Sequence, residues 1–323
     1  MEKATTGFEL ILPFLRPIEH LILDNEISEI MVNGSGRIFV ERAGDLREVA
    51  DARLTEKNLQ VAVRNIARAL GDEISEAQPL LDSRLPDGSR VAAVIPPCSI
   101  GGTTLTIRKF HSRQFTADEL VRIGTLPASL LRCLTDAVST NANILINGGT
   151  GTGKTTLLNA LSHFIADSER IVLIEDTAEI QLDKPNLVRF EARREQPGLP
   201  AVTIRDLVRA TLRHRPDRIL LGEVRGGEAF DLLQALNTGH AGTLSTIHAN
   251  SSHQAIARLT SCVLQAGVEL PYTAIRSQIA DAVELILHIE RRHGARLVAS
   301  LIRIGRYDSA QDRYETASLH ERE

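Results

Sequence analysis

Near the middle of the chain runs Gly148-Gly149-Thr150-Gly151-Thr152-Gly153-Lys154-Thr155, a full match to G-x-x-x-x-G-K-[ST]. An apolar stretch, Ile144-Leu145-Ile146, precedes it, and Leu157, Leu158, Leu161, Phe164 and Ile165 follow on one helical face. Strand, glycine loop and helix are the context this motif requires, because glycines let backbone N–H groups close around an anion and the helix N-terminus adds its dipole. The expected ligand is a nucleotide, ATP, with Gly148, Gly149, Thr150, Gly151, Thr152 and Gly153 as its cradle. Lys154 would hold the β- and γ-phosphates, Thr155 would bind Mg²⁺ through its hydroxyl, and Thr156 completes the nucleotide-binding set.

The loop sits in a regular alternation. Strand patterns at Asn143 to Asn147, Arg170 to Glu175, Arg218 to Leu221 and Thr243 to His248 are separated by helical patterns at Lys154 to Ile165, Thr203 to Arg213 and Gly227 to Asn237. Such βαβα order predicts a mostly parallel sheet with helices on both faces. Beyond it, Val283 to Glu290 and Leu297 to Ile304, around His293-Gly294, read as a terminal antiparallel hairpin.

The first third reads differently. Ile30 to Val32 and Arg37 to Arg42 flank the turn signal Asn33-Gly34-Ser35-Gly36. Leu59, Val63, Ile66 and Leu70 mark a helix from Thr55 to Leu70, with Gly71 as its stop. Leu85-Pro86-Asp87-Gly88 is a turn before a strand at Ser89 to Ile95, and Pro96-Pro97 separates this from a strand at Thr104 to Arg108. The expected organisation is a small α+β domain over 1–108, a linker over 109–116 and an α/β P-loop domain over 117–323.

Composition narrows the function. With 323 residues and 43% hydrophobic content the chain can bury a core in each of two domains. A net charge of −4, from 37 basic and 41 acidic residues, supplies no basic field for nucleic acid or an acidic membrane. Cys98, Cys133 and Cys262 are scattered and odd in number, which argues against a disulfide framework or a zinc ribbon and favours a reducing cytoplasm. No apolar run approaches the roughly 20 residues that span a bilayer, and the opening MEKATTGFELILPF does not read as a leader peptide. Membrane association is therefore expected only through a partner.

Hydrolysis needs a carboxylate beside the γ-phosphate, at the C-terminal end of a neighbouring parallel strand. Two strands end that way: one runs into Glu175 and Asp176 with Glu179 close behind, the other into Glu223. His240 and His248 bracket the next strand. Their spacing fits no common zinc pattern, and a polar relay between nucleotide and sheet is the functional alternative to ordinary packing.

Taken together, the chain resembles the traffic ATPases of type II and type IV secretion systems, the GspE/VirB superfamily, in particular its CpaF and TrbB branches. The stretches that carry this are Glu29-Ile-Met-Val-Asn-Gly34, Leu85-Pro-Asp-Gly-Ser-Arg-Val91 with Ile95-Pro-Pro97, Thr106-Ile-Arg-Lys-Phe110, the P-loop, Ile174-Glu-Asp-Thr-Ala-Glu179, Arg215 through Glu228 and Asn237 through Ala249. The resemblance implies a RecA-like motor domain joined to an N-terminal domain, with nucleotide between them, in a homohexamer that powers secretion, pilus assembly or conjugative transfer. It makes Glu175, Asp176 and Glu179 the Asp box, Gly222-Glu223 the Walker B element, and His240 with His248 the His box. Arg90 and Arg108 take the positions from which N-terminal-domain arginines reach the γ-phosphate. Implied partners are inner-membrane platform or secretion-channel proteins.

The chain departs from that pattern in carrying a shorter segment before its first strand than CpaF-type proteins do. Gly222 stands where many P-loop ATPases place an aspartate, and three cysteines cannot build the four-cysteine zinc element of some secretion ATPases. Either Glu179 or Glu223 could be the general base. Among competing functions, a GTPase would need an N-K-x-D element, which is missing. A DNA-translocating or helicase-type RecA motor is the main alternative; no Trp, 3% aromatic content and an even charge leave little with which to track a strand.

Overall fold

Among the described residues the strands hydrogen-bond into two separate sheets. The computed structural model describes residues 7–34, 36–42, 45–50, 52–110, 115–193, 195 and 199–322, and the chain divides into two units, Met1–Arg113 and Gln114–Glu323. Of the expected linker, 111–114 lie outside the described residues, as does Ser35 of the first turn. Lys109 and Phe110, at the start of that expected linker, are bonded into the first unit. The Lys109 ammonium donates to the carbonyls of Leu21 and Asp24 at 2.8 and 2.7 Å, and burial pulls its pKa down to about 8.

In the first unit, α1 (Glu19–Leu23) leads into a six-stranded antiparallel sheet. The strands are β1 (Ile27–Val32), β2 (Ile38–Arg42), β3 (Asp45–Val49), β4 (Leu80–Arg84), β5 (Arg90–Val94) and β6 (Thr104–Arg108), in the order β3-β2-β1-β6-β5-β4. Between β3 and β4 runs α2 (Glu56–Ala69), started by Thr55, whose hydroxyl accepts the Asn58 N–H at 3.3 Å. Its apolar stripe of Leu59, Val63 and Ile66 is buried with Ile30, Val91 and Ile107 of the sheet in one core. The period-two runs foretold β1, β2, β5 and β6. They did not foretell β3, whose residues are mostly exposed, or β4.

The second unit opens with α3 (Ala117–Arg122) and α4 (Ala128–Ser139) and continues through β7 (Ile144–Gly148), α5 (Lys154–Ser162), β8 (Ile171–Glu175) and β9 (Leu187–Glu191). Then come α6 (Ile204–Thr211), β10 (Arg218–Val224), α7 (Glu228–Asn237), β11 (Leu244–His248), α8 (Ser252–Leu264) and α9 (Tyr272–Ala282). The chain closes on β12 (Leu285–Arg292), β13 (Ala295–Asp308) and β14 (Arg313–Glu321). The sheet order is β14-β13-β12-β7-β11-β10-β8-β9.

Alternation along these strands assigns two faces: Ile144, Ile146, Ile171 and Leu173 join the core with α4 and α5, whereas Leu145, Val172 and Ile174 join the core with α7, α8 and α9. The expected RecA-like α/β fold with helices on both faces is present. The terminal segment is more than a hairpin, because β12 pairs in parallel with β7, residue Leu285 opposite Ile144, and only then turns into β13. It is thus a strand of the main sheet beside the P-loop strand.

Two tertiary clusters tie this unit together. Arg218, 1% exposed, is paired with Glu169 and donates to the carbonyls of Val138 at 2.7 Å and Gly242 at 3.3 Å. Gly242 has φ +85, and a Cβ there would stand 2.1 Å from the Arg218 guanidinium, so the approach requires glycine. At the other edge, the Arg276 guanidinium lies 5.5, 4.9 and 4.7 Å from the ring centres of Tyr272, Tyr307 and Tyr314, joining α9 to the β13–β14 hairpin through cation–π contacts.

Candidate functional site

The glycine loop connects β7 to α5 as its spacing requires. Gly151 and Gly153 have φ of +71 and +99, conformations that favour glycine. Gly153 occupies the N-cap of α5 and supplies no side-chain oxygen; the N-caps of α1, α4, α7 and α9 likewise make no side-chain cap, whereas Thr55, Thr116, Thr203 and Ser251 cap α2, α3, α6 and α8. The first N–H groups of α5 are left for an anion to satisfy. Thr152 Oγ1 donates to the Gly149 carbonyl at 2.9 Å. Thr150 is exposed, and Thr155 and Thr156 lie half-buried on the first turn of α5.

Lys154 is 7% exposed. Its ammonium donates to the Gly149 carbonyl at 2.9 Å and stands 3.4 Å from both ring nitrogens of His248. Burial lowers its pKa, and of the nearby carboxylates Glu223 opposes this most, ahead of Glu179. His248 reaches the loop because β11 runs parallel to β7 with His248 opposite Gly148. Behind it is Glu223, near the end of β10: His248 Nε2 is 2.9 Å from Glu223 Oε1. That contact is out of hydrogen-bond alignment, and Oε1 remains a buried oxygen without an aligned donor.

Arg225 closes the cluster, its guanidinium 2.9 Å from Glu223 Oε2 and 2.8 Å from Asp176 Oδ2. Its carbonyl accepts from Arg258 at 3.2 Å. A cavity of about 260 Å³ opens beside these groups, lined by Gly149, His248, Ala249, Asn250, Gln254 and Arg258.

Other sequence candidates occupy different places. Glu175 is 3% exposed, and one oxygen accepts the N–H groups of Glu179 and Ile180 at 2.8 Å each while Arg189 pairs with the other. It shapes the turn that carries Glu179. His240 lies before β11, with Nδ1 3.2 Å from the Ala235 carbonyl. It is therefore at the N-terminal end of the strand whose C-terminal end carries His248. Arg90 and Arg108 belong to the first unit and are register partners across β5 and β6, with Arg84 beyond Arg90 and Glu29 beyond Arg108. Partners in register share a face, so three arginines form a row there. Arg84, Gln254 and Arg258 fall outside the motif stretches and carry no local signal, whereas Arg225, also missed from sequence, lies within the Arg215–Glu228 stretch two residues past Glu223. Among the described residues no group of three or more His, Cys, Asp or Glu could hold a metal ion by itself.

Burial lowers the pKa of His248 below the ordinary imidazole value of 6.5, Glu223 raises it, and Lys154, Arg225 and Arg258 lower it further. As pH falls, the unfolded chain therefore takes up this proton first. The stability this histidine contributes is present above pH 6.5 and is lost as pH falls through the lower folded-state value. Thermal unfolding at about pH 7.5 and about pH 5.5 should show the wild type losing more stability between them than His248→Gln does. Equal losses would contradict the assignment.

A family model described as "Type II/IV secretion system protein" matches residues 14–310. The chain belongs to that family. It is 36% identical over 300 residues to the probable conjugal transfer protein TrbB of Sinorhizobium fredii, covering 91% of this chain and 88% of that protein. It is 39% identical over 294 residues to the type IV secretion system protein PtlH of Bordetella pertussis, covering 83% and 87%. Among solved structures, the Legionella pneumophila ATPase DotB aligns at a TM-score of 0.61 with 20% identity, over 98% of this chain and 82% of that one, a likeness of fold. The pilus retraction motor PilT, solved with bound ADP, aligns at a TM-score of 0.61 with 20% identity, over 96% of this chain and 83% of that one, again a likeness of fold. No helix among the described residues is long and apolar enough to cross a membrane.

Proposed function

We propose that this family member is the Mg²⁺-dependent ATP-hydrolysing subunit of a ring motor that drives secretion, pilus assembly or conjugative transfer. One observation carries the reading: Glu223 keeps a buried oxygen without an aligned donor in the same cluster as Lys154, His248 and the uncapped start of α5. That oxygen is suited to accept a proton from an attacking water, which makes Glu223 the general base. Lys154 and the α5 N–H groups hold the phosphates, and His248 keeps Glu223 and Lys154 in one polar array. Mg²⁺ would be held by the Thr155 hydroxyl together with phosphate oxygens, and it supplies charge neutralisation there. Asp176 orients Arg225, and Glu175 holds the Glu179 turn.

By resemblance, Arg90 and Arg108 stabilise γ-phosphate charge and couple hydrolysis to movement of an N-terminal domain over 1–108 against a motor domain over 117–323. The subunit works as a homohexamer in the cytoplasm, at the inner membrane through platform or channel partners.

The test is steady-state ATP hydrolysis with Mg²⁺, with solution mass measured alongside and DNA added in a parallel series. Slow hydrolysis by a six-subunit particle, indifferent to DNA, supports the reading. DNA-stimulated hydrolysis by a monomer overturns it in favour of a nucleic-acid motor.

A further inference from the structure

The glycine loop is braced from outside its own motif. The Ile289 carbonyl lies so close to Gly148 that a Cβ there would be 2.1 Å away. A Cβ on Gly153 would meet Arg296 Cδ at 3.4 Å and Ile289 Cδ1 at 3.6 Å. Arg296 Nε donates to the Gly151 carbonyl at 3.0 Å. The β12–β13 hairpin therefore touches the loop at three of its glycines, and Arg296 makes the one polar contact among these.

We infer that Arg296 is a positioning residue for nucleotide, acting through the Gly151–Thr152 peptide. In a trans peptide the carbonyl of one residue and the N–H of the next point in opposite directions. Holding the Gly151 carbonyl toward the hairpin therefore turns the Thr152 N–H the other way, to the side where a loop of this kind gathers N–H groups around phosphate. Two glycines with positive φ leave the loop free to rotate its peptides, and a fixed carbonyl removes part of the ordering cost of binding. The guanidinium also places a positive charge beside the loop, which favours an anion there. The inference rests on the reading that this loop holds a nucleotide's phosphates.

The contact is a single N–H to a carbonyl, not a bidentate fork, so a lysine ammonium can replace it. With full-length protein, ADP affinity is measured by titration calorimetry for the wild type, Arg296→Ala and Arg296→Lys, with ATP kinetics and thermal unfolding in parallel. The alanine variant is expected to bind ADP about tenfold more weakly, with KM for ATP raised similarly. Its kcat should stay within about twofold of wild type, since Glu223 and Lys154 are untouched, and its melting midpoint should be unchanged. Lysine should restore most of the affinity. Wild-type protein that binds no ADP overturns the phosphate-cradle reading and this inference with it. ADP binding by the wild type that is equalled by the alanine variant overturns this inference alone, as does weakened binding that lysine fails to restore or a fall in kcat at unchanged KM.

Discussion

Glu223→Gln is expected to lower ATP turnover by about 10²- to 10⁴-fold, the loss typical of removing a general base, while ADP affinity stays close to wild type. Glutamine keeps the size of the side chain and a carbonyl that Arg225 can reach, so the change removes basicity and little else. Glu179→Gln is expected to cost less. Glu223 lies within 2.9 Å of both His248 and Arg225, and Lys154 feels its charge more strongly than that of Glu179. Single-turnover hydrolysis with both variants decides the matter. Turnover within about tenfold of wild type for Glu223→Gln, beside a larger loss for Glu179→Gln, would move the base to Glu179.

Arg218→Met is expected to destabilise the second unit by about 3 kcal/mol, the lower end for breaking a buried ion pair. The substitution preserves apolar volume but strands Glu169 and takes the donors from the Val138 and Gly242 carbonyls. The Glu169 side chain is 21% exposed, so water relieves part of its cost, and the upper end of that range is not expected. Glu169→Gln, which keeps an acceptor, should cost less. Chemical denaturation checks both, and a shift below about 1 kcal/mol for Arg218→Met, the scale of an ordinary surface change, would show that the pair holds nothing together.

The parts of this protein legible from sequence were those written in local pattern. Ile144-Leu145-Ile146 and the glycines that follow announced strand, loop and helix, and the strand ends carried Glu175, Asp176 and Glu223 to the same edge of the sheet. Pairing between distant segments left no such trace. Sequence read Leu285 and its neighbours as half of a hairpin because nothing local shows that they also pair with Ile144. β14 went unread because its residues are mostly exposed and lack an apolar alternation. Because such long-range pairing leaves no local trace, Arg296 was invisible as a neighbour of Gly151. The glycine at 148 illustrates the limit well: its motif assigns it to phosphate, while its contact with the Ile289 carbonyl shows that packing demands it too.

The arrangement around Arg276 has a practical bearing on how this molecule can be observed. The chain has no Trp and three Tyr, and all three ring systems surround that one guanidinium. Tyrosine emission is therefore a single-location signal, reporting whether α9 still holds the last hairpin. The first unit is dark to it, so a fluorescence melt that looks complete can leave that unit folded, and amide circular dichroism must be recorded beside it to see both transitions.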